Sequence, residues 1–166
     1  MKTLGTKGLK LLKVLHLLCN FMWIGGGFSM MLLLLCTHPQ ESHELYMKSV
    51  ALKTIDDWLI ISGASGCVVT GLVYGIWTRW GFFKHRWIII KWALTLFMIA
   101  TGTFLMGPCV NGNVYPASEI ARYTADNGTF WNNLEQITFW GIIQIVLLLF
   151  TVVISVYKPW KTSAKH

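Results

Sequence analysis

The sequence predicts an all-α protein, a four-helix transmembrane bundle. Of its 166 residues 54% are hydrophobic and 13% are charged, about half the charged share of an average soluble domain. Four segments without an acidic residue are each long enough to cross a hydrocarbon core of about 30 Å: residues 11–36, 58–78, 87–107 and 136–157. They fill most of the chain, so residues 1–166 are expected to form a single integral membrane domain.

The first segment follows several lysines, as a secretory signal would. Its apolar stretch is longer than that of a signal peptide and no small-residue cleavage site follows, so it is interpreted as a retained helix. The connection after it, residues 37–57, has Leu45, Leu52 and Ile55 at helical spacing. A helix that begins near Pro39 and continues into the second span is therefore expected.

The distribution of charge predicts the orientation. All seven acidic residues fall in residues 37–57 and 108–135, which are therefore predicted to be the outer loops. Lysines and arginines cluster before the first span, between the second and third, and after the fourth. Under the positive-inside rule both termini are cytoplasmic. The net charge of +7 is explained by this topology and by anionic lipid headgroups, so no nucleic acid partner is expected.

Polar residues occur inside the spans and are expected to face the bundle interior, because lipid tolerates them poorly. His16 lies about one and a half turns from the cytoplasmic end of the first span, and Lys91 lies about one turn from that end of the third. Thr70 and Tyr74 of the second span reach the same level. The sequence thus predicts one polar pocket near the cytoplasmic leaflet.

Each of these two residues leaves alternatives open. Lys91 is close enough to the boundary to extend to the headgroups through its aliphatic stem. His16 cannot, so it either makes a structural hydrogen bond or ligates a metal or haem iron. A haem site needs an imidazole, an apolar slot and basic groups for the propionates. The candidate cofactor-binding residues are His16, as the ligand of the iron, with Trp23, Gly26, Gly27, Tyr74, Arg86 and Lys91.

The run KVLHLLCNFMWIGG (residues 13–26) resembles the first helix of four-helix membrane proteins related to the copper-resistance D domain and the HemJ-type protoporphyrinogen oxidases. This set includes predicted integral membrane proteins of unknown function. The stretch from Val68 to Leu96 is similar to their second and third helices, where a glycine-rich helix leads into a Trp-x-x-x-Lys start. In the HemJ-type branch the resemblance implies a b-type haem that depends on the residues matching His16 and Lys91.

The resulting hypothesis is a membrane-embedded b-type haem-binding redox protein of the bacterial plasma (inner) membrane. It would transfer electrons or, as an oxidoreductase, oxidise a porphyrin- or quinone-like molecule, with a homo-oligomer or a membrane redox partner as further expectations. The alternatives are a non-enzymatic accessory subunit and a copper or other metal-ion transport protein. Cys36 and Cys109 end their spans at the outer face, where an oxidising compartment permits a disulfide between them.

Overall fold

A computed structural model describes residues 4–78, 81–82, 85–114, 119 and 128–157. These residues contain no β-strand and four long helices: α1 (Thr6–Cys36), α2 (Ser42–Trp77), α3 (Arg86–Gly112) and α4 (Gly128–Tyr157). Each helix is long and apolar enough to cross a membrane. The protein is therefore all-helical, with four candidate membrane spans.

The four helices form an antiparallel bundle in which α1 packs against both α2 and α4, and α4 also packs against α3. The register of α1 and α2 is fixed by close approaches: Gly26 lies against Ile60, and Cys19 lies against Gly66. The Leu4 amide donates to the Trp77 carbonyl oxygen, 3.1 Å away. We call this end of the bundle the terminal end. The opposite end, where a short connection joins α1 to α2, is called the loop end.

The interior consists of two main apolar layers. In the layer nearer the terminal end each helix contributes one buried side chain: Trp23, Cys67, Met98 and Leu148. The layer nearer the loop end is rich in methionine and also draws on all four helices, with Met30, Met31, Leu52, Met106, Val110 and Ile137 buried. Many other large apolar side chains of the helices are exposed, as expected for surfaces that contact lipid.

Helix α2 begins much earlier than the predicted second span. A capping box starts it, in which the Glu44 carboxylate accepts from the Gln40 amide at 2.8 Å and from the Glu41 amide at 3.4 Å. The helix then continues, through a π-helical turn, into the membrane span. The connection between α1 and α2 therefore consists only of residues 37–41.

Two wide, π-helical turns interrupt α2 and α3, at Asp56–Ile61 and Gly102–Met106. The second has a clear cause in Pro108, which lacks an N–H group and whose ring would clash with the carbonyl group four residues earlier. In this turn the Gly107 amide donates to the Gly102 carbonyl oxygen, five residues back. Such turns are rare in helices and occur often at functional sites.

Candidate functional site

His16 and Thr70 form the central contact of the site. The Nδ1 atom of His16 lies 2.7 Å from the Thr70 hydroxyl oxygen, which itself lies 2.6 Å from the Gly66 carbonyl oxygen. Because the single hydroxyl proton can satisfy that carbonyl, we infer that the hydroxyl oxygen accepts a hydrogen bond from Nδ1–H. In this inferred tautomer the imidazole carries its lone pair on Nε2, where it can bind a metal.

Two further contacts hold the imidazole in place. The rings of His16 and Tyr74 meet edge to face, with centroids 5.7 Å apart and an interplanar angle of 81°. One turn along α1, the Asn20 side-chain amide donates to the His16 carbonyl oxygen at 2.7 Å. The ring orientation is thus set by α2, and the backbone that carries the ring is supported by its own helix.

Lys91 comes from α3 to the same level of the bundle. It is half-buried, and its ammonium is close enough to interact electrostatically with the His16 imidazole and the Cys67 thiol. Across the described ranges Lys91 makes no hydrogen bond and no ion pair; the salt bridge found there is that of Lys53 with Asp57. An ammonium in this position is expected to attract an anionic group, because a charge inside a membrane requires a partner.

The other predicted cofactor residues lie farther from His16. Trp23 is buried in the apolar layer, about 10 Å from His16 along α1. It therefore lies between the polar level of His16 and the middle of the bundle. A β-carbon added at Gly26 would lie 2.9 Å from side-chain atoms of Leu59 and Ile60, and one at Gly27 would lie 3.5 Å from Ile145. Both glycines pack in the middle of the bundle. Arg86 is exposed at the start of α3.

The glycines of α2 do not leave a slot toward α1. A β-carbon at Gly63 would lie 2.6 Å from the backbone nitrogen of Trp23, and one at Gly66 would overlap the Cys19 sulfur. The α1 and α2 backbones are therefore in direct contact, and a flat macrocycle cannot enter between them.

The interface between α2 and α3 beside His16 is packed less closely than the one between α1 and α2. Ser62–Trp77 and Arg86–Thr101 pack only sparsely against each other within the residues that the structure describes. The Trp92 ring lies near Gly71, where an added β-carbon would be 3.5 Å from it. A planar ligand that reached His16 would lie between these two segments, beside Tyr74 and Lys91. The imidazole and the ammonium suit a haem, but the Trp92 ring, which lies against Gly71, would have to move to admit the macrocycle.

A second buried polar group, Gln144 of α4, lies near the middle of the bundle. Its side-chain amide donates to the Met98 carbonyl oxygen at 3.2 Å and lies 3.4 Å from the Thr101 hydroxyl oxygen. It also lies 3.3 Å from the Met106 sulfur. Gln144 thus supports the wide turn of α3, a role that the sequence pattern alone does not reveal.

The cysteines give no metal site. In the parts of the chain described, no three His, Cys, Asp or Glu side chains cluster closely enough to hold a metal ion. All four cysteines are free thiols, with Cys36 exposed at the end of α1, and the Cys109 thiol donates to the Leu105 carbonyl oxygen at 3.2 Å. A disulfide between Cys36 and Cys109 stays a prediction.

The fold and the site define a class: a multi-pass, all-helical membrane protein with a histidine and a lysine at one level of its interior. Comparison with known proteins adds no closer assignment, because no family model matches the chain and neither the curated proteins nor the solved structures contain a match. The resemblance to the copper-resistance D and HemJ-type proteins stays a prediction.

Proposed function

We propose that the protein is a membrane-embedded redox protein that binds one b-type haem through His16. The observation that supports this most is that His16, with its inferred Nε2 lone pair, and the Lys91 ammonium occur at one level. Lys91 makes no hydrogen bond or ion pair among the described residues. An imidazole ligand and a cation for a propionate are the two polar requirements of a haem site. Both occur where α2 and α3 pack sparsely against each other.

Each residue has a distinct role in this proposal. Haem supplies one-electron chemistry when bound. His16 would hold the iron through Nε2, Thr70 would fix the tautomer and orientation of the imidazole, and Lys91 would neutralise a carboxylate of the porphyrin. Trp23 closes the site toward the middle of the membrane and keeps water from entering the apolar layer.

The proposal extends to location and direction. The charge distribution supports a cytoplasmic position for the terminal end of the bundle, and with it for the haem, in a bacterial plasma membrane. A porphyrin- or quinone-like molecule would reach the site from the lipid between α2 and α3. The protein would then act as an electron carrier or as an oxidoreductase, alone, as a homo-oligomer or with a membrane redox partner.

The decisive test is the absorption spectrum of the detergent-purified protein, oxidised and reduced with dithionite, after expression with added haem precursor. We expect a Soret band that sharpens on reduction in the parent and is lost in His16→Ala. His43→Ala is the matched control, because His43 is exposed near the loop end and the spectrum should not change. A colourless parent would reject the haem proposal and favour the accessory-subunit function.

A second candidate function, copper transport, is favoured by one specific observation. Three methionines from two helices, Met30, Met31 and Met106, share the buried layer near the loop end, and Cys109 packs against it. Thioethers and thiols are soft ligands that select Cu(I). Titration of the reduced protein with Ag(I), a stable substitute for Cu(I), tests this. Met106→Leu should weaken binding, whereas Met47→Leu, at an exposed position, should not.

A further inference from the structure

A cleft at the loop end of the bundle is independent of the His16 site and of the function proposed for it. The cleft has a volume of about 390 Å³ and lies between the end of α1, the start of α2 and the first turns of α4. Leu34 lines it and is 18 residues from His16, which corresponds to about 27 Å along α1. Because the hydrocarbon core is about 30 Å thick, the cleft lies at the opposite membrane boundary.

The apolar part of the lining lies deeper than the polar part. Leu34, Leu45 and Leu134 line the cleft and are buried or half-buried. Trp131 and Glu135 also line it but are exposed. A ligand that satisfies both parts has an apolar portion inside and a polar portion toward water. Tryptophan at this depth is typical of residues at the headgroup level.

Two opposite charges line the cleft. The Lys48 ammonium donates to the Thr37 carbonyl oxygen at 3.0 Å and to the Leu34 carbonyl oxygen at 3.3 Å. These bonds hold the charge in one position, and because an ammonium has three donors, one N–H remains for a ligand. Glu135 provides the negative charge on the α4 side. This arrangement suits a ligand that carries both a phosphate and an ammonium group.

We propose that the loop-end cleft binds a phosphatidylethanolamine headgroup. The phosphate pairs with Lys48, the ammonium group pairs with Glu135, and the glycerol and upper acyl carbons contact the leucines. A cleft of this volume is within the range of small-molecule sites. The membrane presents such a headgroup at the depth of the cleft, so the ligand needs no path through water.

Native mass spectrometry of the delipidated protein with defined lipids tests the proposal. We expect phosphatidylethanolamine to bind at least tenfold more tightly than diacylglycerol, which has no headgroup charge. Glu135→Gln should remove the preference for phosphatidylethanolamine over phosphatidylglycerol. Glu119→Gln, at an exposed position outside the cleft, is the matched control and should keep the preference. Equal binding of diacylglycerol, or an unchanged preference in Glu135→Gln, would overturn the proposal.

Two further measurements separate the sources of the ligand and the roles of Lys48. Soluble phosphoethanolamine should not compete at concentrations where the lipid is bound; full competition would assign the cleft to a soluble metabolite instead. Lys48→Met should weaken the binding of both phospholipids, because both carry a phosphate. Lys48 also caps α1, so the helix content of this variant is checked by circular dichroism. If the helix content is lost, the Glu135→Gln result alone decides whether the proposal stands.

Discussion

At the scale of single residues, the inferred Nδ1–H hydrogen bond to Thr70 leaves Nε2 of His16 available. Thr70→Val removes the acceptor of the Nδ1 proton while preserving side-chain volume. We expect the affinity for haem to fall about 10- to 100-fold, the usual effect of losing a group that orients a metal ligand. Haem titration followed at the Soret band measures this, and Thr70→Ser, which keeps the hydroxyl, should bind as the parent does.

The same substitution gives a result that does not depend on haem. In haem-free protein, ¹⁵N spectroscopy of the imidazole reports which nitrogen carries the proton. The parent should show one tautomer, protonated on Nδ1, whereas Thr70→Val should show a mixture. A single unchanged tautomer in both proteins would contradict the assigned direction of the hydrogen bond.

At the scale of helices, the α1–α2 contact depends on glycines that lie against backbone. Gly63→Ala would place a β-carbon 2.6 Å from the Trp23 nitrogen, so the helices must move apart. Overpacking of this kind costs about 1–3 kcal/mol. Thermal unfolding in detergent measures the loss of stability.

Gly25→Ala is the matched control for that substitution. Gly25 is also a helical glycine, but a β-carbon there meets nothing within 4 Å. Alanine should then leave stability unchanged or raise it by up to about 1 kcal/mol, because it favours the helix. Equal destabilisation by both variants would mean that helix propensity, rather than the α1–α2 contact, determines the effect.

The α3–α4 contact depends on a hydrogen bond instead. Gln144→Leu removes the donor to the Met98 carbonyl oxygen beside the wide turn. Hydrogen bonds between membrane helices contribute about 0.6 kcal/mol on average and up to about 1.7 kcal/mol, and we expect a loss of stability in that range. Gln136→Leu, at an exposed position of the same helix, should be neutral in the same unfolding assay, and a similar loss there would argue against a specific role of Gln144.

The sequence predicted the helices better than their contacts. The long apolar segments predicted four helices, and the spacing of His16, Thr70, Tyr74 and Lys91 placed these residues at one level. The structure brings His16, Thr70 and Tyr74 into contact and Lys91 into electrostatic range.

The glycines show why the rest could not be predicted. A glycine at helical spacing is equally compatible with a ligand slot and with a close helix contact, and only the neighbouring helix decides between them. Gly63 and Gly66 face Trp23 and Cys19, so the slot is closed. The wide turn before Pro108 likewise depends on how the backbone adapts to the proline, which a helix or loop prediction does not describe.

At the scale of the whole molecule, the four candidate spans are an even number, which predicts that both ends of the chain lie on one side of the membrane. Lysines and arginines near both ends predict the cytoplasmic side. Fluorescent-protein fusions at residue 166 should therefore be bright, and alkaline phosphatase fused there should be inactive. The opposite pattern, in a strain where both reporters are validated, would show that the predicted orientation is inverted.

The length of α2 also affects the whole molecule. Its 36 residues extend about 54 Å, well beyond a hydrocarbon core of about 30 Å. The first turns of α2 must therefore project from the membrane on the loop side or tilt along its surface. The capping box at Glu41 and Glu44 and the Lys53–Asp57 ion pair belong to this projecting part, where water can solvate their charges.

The hydrogen bonds divide the bundle into two helical hairpins, and the α1–α2 hairpin can form before the α3–α4 hairpin. The His16–Thr70 hydrogen bond lies within the α1–α2 hairpin, and the Gln144–Met98 hydrogen bond lies within the α3–α4 hairpin. During synthesis the first hairpin can therefore enter the lipid with these buried side chains already paired, before the second has been translated. Lys91 takes part in neither hydrogen bond. We therefore expect the burial of Lys91 in the membrane to depend on contact between the two hairpins.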